Sequence, residues 1–320
     1  MSHTASCCCD AASICTATHS VTRDALLALS LALGAIRPFQ MAGQQALLPM
    51  LVSPKLLARS MALSTVVQQI FVIAGPALGG ILFTVSVVTV YLTSAVLFTV
   101  SAVMYAFVRY DYTPPPREPV TADTILAGLR FIWSNPLLLG AISLDLFAVL
   151  FGGATALLPV YARQILHVGP QGLGLLRSAP AVGALCVGLL ARRATVSGVG
   201  RKLLIAVAIY GLSIVGLGLS RWFPVSLFLL AISGGADTIS VIVRQTLIQL
   251  EAPDRMRGRV AAVNTLFIGA SNQLGEFESG VSATAVGVMG SVVVGGFATI
   301  LVSVAWSRLF RSLARRDALH

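Results

Sequence analysis

Charge is scarce in this sequence, and acid is scarcer than base. Only 11% of the 320 residues are charged, with 12 Asp and Glu against 22 Lys and Arg. A soluble globule normally carries about 25% charged residues, so this chain cannot be one. Strand-like alternation of apolar and polar residues is also missing, which argues against a sheet. The five cysteines offer no disulfide framework. Cys7, Cys8, Cys9 and Cys15 crowd the N-terminus beside His3 and His19, and Cys186 stands in an apolar run, so no paired metal ligands arise. Residues 1–23 lack the basic start and continuous apolar core of a signal peptide. No nucleophile–base pair, phosphate loop or metal-ligand cluster stands out. The chain is therefore expected to be no enzyme and to need no cofactor and no metal.

What is present is apolar length. Hydrophobic residues make up 56% of the chain and mean hydropathy is +0.87. The apolar material comes in runs near the ~20 residues that a bilayer-spanning helix needs. An all-α integral membrane protein with about nine transmembrane helices is expected, at 24–50, 58–83, 85–108, 137–161, 171–191, 202–220, 225–247, 260–284 and 286–308. Between the third and fourth runs, Arg109 to Pro119 is polar and proline-rich, which marks a linker. A short helix from Thr121 through Trp133 follows, with apolar residues at helical spacing, and is expected to lie on the membrane surface.

The net charge of +10 does not point to nucleic acid, because the basic residues sit between the apolar runs. With the loops after 52, 108, 191 and 247 and the C-terminus on the cytoplasmic side, that side holds sixteen basic residues. They include Lys55, Arg59, Arg130, Arg192, Arg193, Arg201, Lys202, Arg255, Arg257 and Arg259. The other side holds Arg23, Arg163 and Arg221, and Arg37, Arg177 and Arg244 fall inside spans. Sixteen against three is the positive-inside pattern, and it places the C-terminus in the cytoplasm.

The chain also repeats itself. Gly34, Gln45, Leu47, Arg59, Ala62, Thr65, Gly75 and Gly80 recur 200 positions later as Gly234, Gln245, Leu247, Arg259, Ala262, Thr265, Gly275 and Gly280. Both copies run in the order polar centre, basic loop, glycine-rich helix. Internal symmetry of this kind is how the halves of many transporters show themselves.

Four motifs carry a resemblance. Gly75-Pro-Ala-Leu-Gly-Gly80, Gly198-Val-Gly-Arg-Lys-Leu-Leu204, Pro253-Asp-Arg-Met-Arg-Gly-Arg259 and Leu274-Gly-Glu-Phe-Glu-Ser-Gly280 are similar to motifs of the major facilitator superfamily. The last two resemble its branch of enterobactin exporters and related efflux proteins. The resemblance implies the fold of that superfamily, two halves of six spans, and export of a small amphipathic molecule, siderophore-like or drug-like, by alternating access. It covers about 24–311 and leaves residues 1–23 outside. On this reading the first three spans are absent and the chain is an N-terminally truncated member. The expected organisation is a leader at 1–23, a partial first half at 24–110, a linker with its surface helix at 111–135, a complete second half at 136–311 and a basic tail at 312–320. The partners implied are a small-molecule substrate, protons and the lipid bilayer, with no nucleic acid, in a bacterial-type cytoplasmic membrane. The intact protein is expected to be a monomer. The competing reading is a membrane fragment that does not transport.

Ionisable groups at membrane depth are costly and so are candidates for function. Asp145 either binds a proton, since burial disfavours its charged form, or pairs with a basic neighbour. Asp237 lies nearer mid-span and is the better candidate for a proton carrier. Arg244 follows it two turns later on the same face, either snorkelling to the interface or meeting substrate. Arg177 is equally open. Arg37 sits mid-span beside Pro38, with Gln40 and Gly43 following, in the repeat position of Asp237. The superfamily resemblance implies a cavity role for it. Asn264, Asn272, Gln273 and Glu276 fall near one face of a polar span, with Glu278 turned away. Their roles are helix–helix hydrogen bonding or, for Glu276, a cavity carboxylate. Gly75, Pro76, Gly79 and Gly80 suit close helix packing and local bending.

Overall fold

The computed structural model describes residues 54–107, 122–191, 199–310 and 313. The first expected span and Arg37 lie outside them, as do Arg192 and Arg193. The described chain is almost entirely helical. In order it forms α1 (Pro54–Val85), α2 (Val87–Phe107), α3 (Ala122–Ser134), α4 (Pro136–Phe151), a 3-10 turn (Ala154–Leu157), α5 (Leu158–Gln164), α6 (Pro170–Ala191), α7 (Val199–Leu219), α8 (Phe223–Glu251) and α9 (Asp254–Leu309). Among the described residues, six stretches are long and apolar enough to cross a membrane, and Ile70–Val85 is a shorter apolar helix. One of the six, Gly258–Leu309, has 52 residues, enough for two crossings at ~20 residues each.

Two compact units divide the chain, Met1–Arg117 and Glu118–His320. In the first, α1 packs against α2, and Ala95 and Ala102 of α2 are buried. Helix α1 runs through Pro76 without a break.

The second unit has a core at each end. One end gathers Ile132 of α3, Leu138 of α4, Leu203 of α7, Leu247 of α8, Val260 of α9 and Leu313. The other gathers Leu158 and Tyr161 of α5, Leu176 of α6, Leu217 of α7, Leu230 of α8 and Val292 of α9. At that second end the Tyr161 hydroxyl donates to the carbonyls of Leu217 and Ser220. The Ser226 hydroxyl donates to Ser220 Oγ at 3.1 Å, which ties the α7–α8 turn.

Lipid chains give two apolar helices no hydrophobic reason to associate, so close packing through small residues must hold them. Gly183 of α6 lies against Ala231 of α8, and Gly234 of α8 lies against Pro180 of α6. Gly275 of α9 meets the backbone of Val149 and Leu150, where an added Cβ would come within 2.8 Å of the Val149 carbonyl oxygen. Its repeat partner behaves differently: no described residue comes within 4 Å of where a Cβ on Gly75 or Gly79 would stand. Gly80 of the first cluster is buried, whereas a Cβ on Gly280 of the second would meet no described residue within 4 Å.

One boundary differs from the sequence expectation. The run 137–161 is not one helix: α4 stops at Phe151, and Gly152 and Gly153 separate it from the 3-10 turn and α5. The two runs at 260–284 and 286–308 meet without a loop. Gly287 alone breaks them, at φ 76° and ψ 165°, a left-handed backbone that glycine adopts without steric cost. Helix α3, expected on the membrane surface, docks one face on the second unit. Ile132 is buried in its core, and Gly128 sits where a Cβ would come within 3.0 Å of the Arg259 carbonyl oxygen.

Candidate functional site

The site is built on α4, α7 and α8. Asn135 caps α4, its side chain accepting from Leu137 N at 3.1 Å, and Pro136 supplies a first-turn residue with no N–H to satisfy. The helix so anchored carries Asp145 into the interior, where it is 5% exposed. Opposite stands Arg244 of α8, 2% exposed, whose Nη1 pairs with Asp145 Oδ1. Ser240, one turn before Arg244, donates to the same oxygen at 3.4 Å. Arg244 Nε has no hydrogen-bond partner among the described residues.

Of the two roles open for Asp145, the ion pair is the one observed. Arg244 neither snorkels to an interface nor stands free for substrate. Burial decides this. Removing two charges from water costs several kcal/mol per ion, and only a close partner returns it. An arginine this deep needs a carboxylate, and Asp145 is that carboxylate.

Asp237 lies two turns before Arg244 on α8. It is exposed and has no ion-pair partner among the described residues. A cavity of about 10 Å³ joins it to Asp145, Ser240, Ala148 and Tyr210. That volume suits one water-sized group. Tyr210 of α7 donates to the carbonyl oxygen of Gly152 at 2.8 Å, so the end of α4 is pinned beside the two carboxylates. Its fit is tight, since a Cβ on Gly152 would come within 2.8 Å of the Tyr210 hydroxyl oxygen. The formal charges of Asp145, Arg244 and Asp237 sum to minus one.

Sequence reasoning missed Tyr210 and Ser240. Ser240 had a signal, because it precedes Arg244 by four residues and so shares its face. Tyr210 had less, a single phenol in the apolar run of α7.

The other candidates do not join this group. Arg177 of α6 is exposed, and no described residue pairs with it. Asn272, Gln273 and Glu276 are exposed on α9, with Asn272 Nδ2 donating to its own helix at Ile268 O, 3.0 Å. Asn264 parts from them: it is 1% exposed, and its Oδ1 has no partner among the described residues. Glu278 is half-buried. Of the basic loop residues, Arg201 and Lys202 are exposed at the start of α7, and Arg259 Nη1 approaches Met256 Sδ at 3.9 Å. Nothing is described of the side chains of Arg255 and Arg257.

Known proteins agree with this architecture. Residues 5–276 match the Major Facilitator Superfamily, a stretch that takes in residues 5–23, set apart above as unlike it. The enterobactin exporter EntS of Citrobacter koseri is 28% identical over 272 residues, covering 83% of this chain and 64% of that protein. The multidrug efflux pump Tap of Mycobacterium tuberculosis is 29% identical over 225 residues, covering 68% of this chain and 53% of that protein. The chain thus spans less than two thirds of the length of these relatives. A crystal structure of a bacterial homologue of the human lysosomal transporter Spinster, inward-facing and unoccupied, superposes with a TM-score of 0.67. It is 14% identical, with 99% of this chain and 83% of that one covered, and so speaks for the fold. Apolar helices of spanning length, a repeated glycine-rich hairpin and a match over most of the sequence converge on one conclusion: the chain belongs to the Major Facilitator Superfamily.

Proposed function

We propose that this chain serves proton-linked export of a small amphipathic molecule across the cytoplasmic membrane, with Asp237 as the proton carrier. The observation that carries the reading is the unequal state of two neighbouring carboxylates. Asp145 is committed to Arg244, whereas Asp237 opens on the same cavity with no ion pair among the described residues. Asp237 is thus the carboxylate of the pair that no fixed countercharge among the described residues holds. Loading Asp237 takes the group from a net charge of minus one to zero. Two conformations that solvate this cleft differently would then exchange populations as the proton comes and goes.

Arg244 is spent on Asp145, so a catecholate or other anionic group on the substrate would have to meet Arg177 or Arg37. Glu276, Asn272 and Gln273 offer polar contacts from α9, and Glu276 is a second carboxylate with no ion pair among the described residues. The charge count puts the C-terminus on the cytoplasmic side.

The test is efflux from proteoliposomes under an imposed pH gradient, with ethidium as the cationic probe and a catecholate as the anionic one. Asp237→Asn should lose gradient-driven movement of whichever probe the wild type carries, while eluting from a sizing column as the wild type does. Normal efflux by that variant would remove Asp237 from the role. No gradient-driven movement by the wild type would instead favour a chain that does not transport alone.

A further inference from the structure

Helix α3 has two faces with different fates. Gly128 and Ile132 point into the second unit, against the first turns of α9. Leu126, Arg130 and Trp133 stand at i, i+4 and i+7, which places them in one stripe on another side of the helix. All three are exposed, Leu126 at 49% and Trp133 at 66%. Asp123 heads the same stripe in the sequence, and beyond it an aliphatic, a cation and a tryptophan give the composition of the membrane–water interface. There an indole sits at headgroup level, and an arginine reaches the phosphates while its stem stays in the apolar zone.

The location agrees. Ile132 belongs to the core that also holds Leu203 near the start of α7 and Leu313 beyond the end of α9. Arg201 and Arg308, both exposed, belong to those same helix ends. This is the end that the sixteen-to-three charge count assigns to the cytoplasm. Anionic lipid on that leaflet attracts basic residues held near its surface.

We infer that the Leu126–Arg130–Trp133 face of α3 is a binding surface for anionic phospholipid of the cytoplasmic leaflet. Leu126 and Trp133 enter the acyl–headgroup boundary, and the Arg130 guanidinium takes the lipid phosphate. Because Gly128 rests on the Arg259 carbonyl, the lipid-bound helix is fastened to the first turns of α9. Lipid charge is thereby tied to the position of the helix that carries Glu276.

The full chain is reconstituted in mixed vesicles of phosphatidylcholine and phosphatidylglycerol, with brominated acyl chains on one lipid at a time at matched mole fraction. Trp222 and Trp306 also fluoresce, so the Trp133 signal is taken as the difference from Trp133→Phe. Brominated phosphatidylglycerol should quench Trp133 roughly threefold to fivefold more than brominated phosphatidylcholine, as one arginine near the surface would give. Arg130→Gln should equalise the two lipids while leaving Trp133 quenched, and Arg130→Lys should keep the preference. Equal quenching by both lipids in the wild type would overturn the anionic-lipid site. No quenching of Trp133 by either would overturn the interfacial placement itself.

Discussion

Breaking the buried pair should expose its energetics cleanly. In Asp145→Ala, Arg244 keeps its charge in a site where it is 2% exposed, with Nε already lacking a hydrogen-bond partner among the described residues. Removing one partner of a buried ion pair costs about 3–5 kcal/mol, because the survivor is left uncompensated. The second unit spans 203 residues (118–320). For a unit of that size each kcal/mol moves Tm by about 2–4 °C, so the variant should melt roughly 6–20 °C below wild type. The double variant Asp145→Leu, Arg244→Met replaces the pair by apolar side chains of similar bulk. Such replacements are neutral or stabilise by about 1–4 kcal/mol, so its Tm should return to the wild-type value or pass it. The assay is thermal unfolding in one detergent, read by intrinsic fluorescence and by loss of the monodisperse peak. If the double variant melts as low as the single one, the two residues are not coupled and the pairing is wrong. If the single variant melts with the wild type, Arg244 is not buried.

Two further outcomes follow from the glycines. Gly275→Val should destabilise by about 1–3 kcal/mol, since its side chain meets the Val149 and Leu150 backbone, whereas Gly75→Ala should be neutral or stabilise by up to about 1 kcal/mol; comparing the two melting curves checks it. Gly287→Ala should cost about 1–3 kcal/mol by forcing a side chain into a positive-φ region that is essentially glycine's alone, seen as a lower Tm with the helical circular dichroism of the native state retained.

Periodicity and length carried most of the fold. Runs of ~20 apolar residues become helices because lipid leaves no other way to satisfy the backbone, and the described helices fall where those runs do. Breaks inside a run were harder to see. Gly152-Gly153 reads as more apolar sequence, yet Tyr210 from another helix takes the Gly152 carbonyl and α4 ends there. Gly287 reads as part of an apolar run, yet this one positive-φ residue is what separates two helices. The candidate residues were legible as charges in the wrong solvent, because a carboxylate at membrane depth stands out against any apolar background. Which of them pair was not legible. Asp145 and Arg244 are 99 positions apart, and helical spacing gives the face of a side chain without giving the helix that faces it. The same limit hid the burial of Asn264, which shares a polar stretch with Asn272, Gln273 and Glu276 but turns inward alone.

Proton movement itself is the most direct test of the transport account. Proteoliposomes in a weakly buffered medium, with a pH-sensitive dye inside, receive ethidium or the catecholate outside with no initial gradient. The wild-type chain should shift the internal pH in step with the probe it carries, and Asp237→Asn should give no shift at equal protein. Probe movement with an undiminished pH shift in Asp237→Asn would show that the proton travels by another group. Probe movement without any pH shift in the wild type would contradict proton coupling altogether.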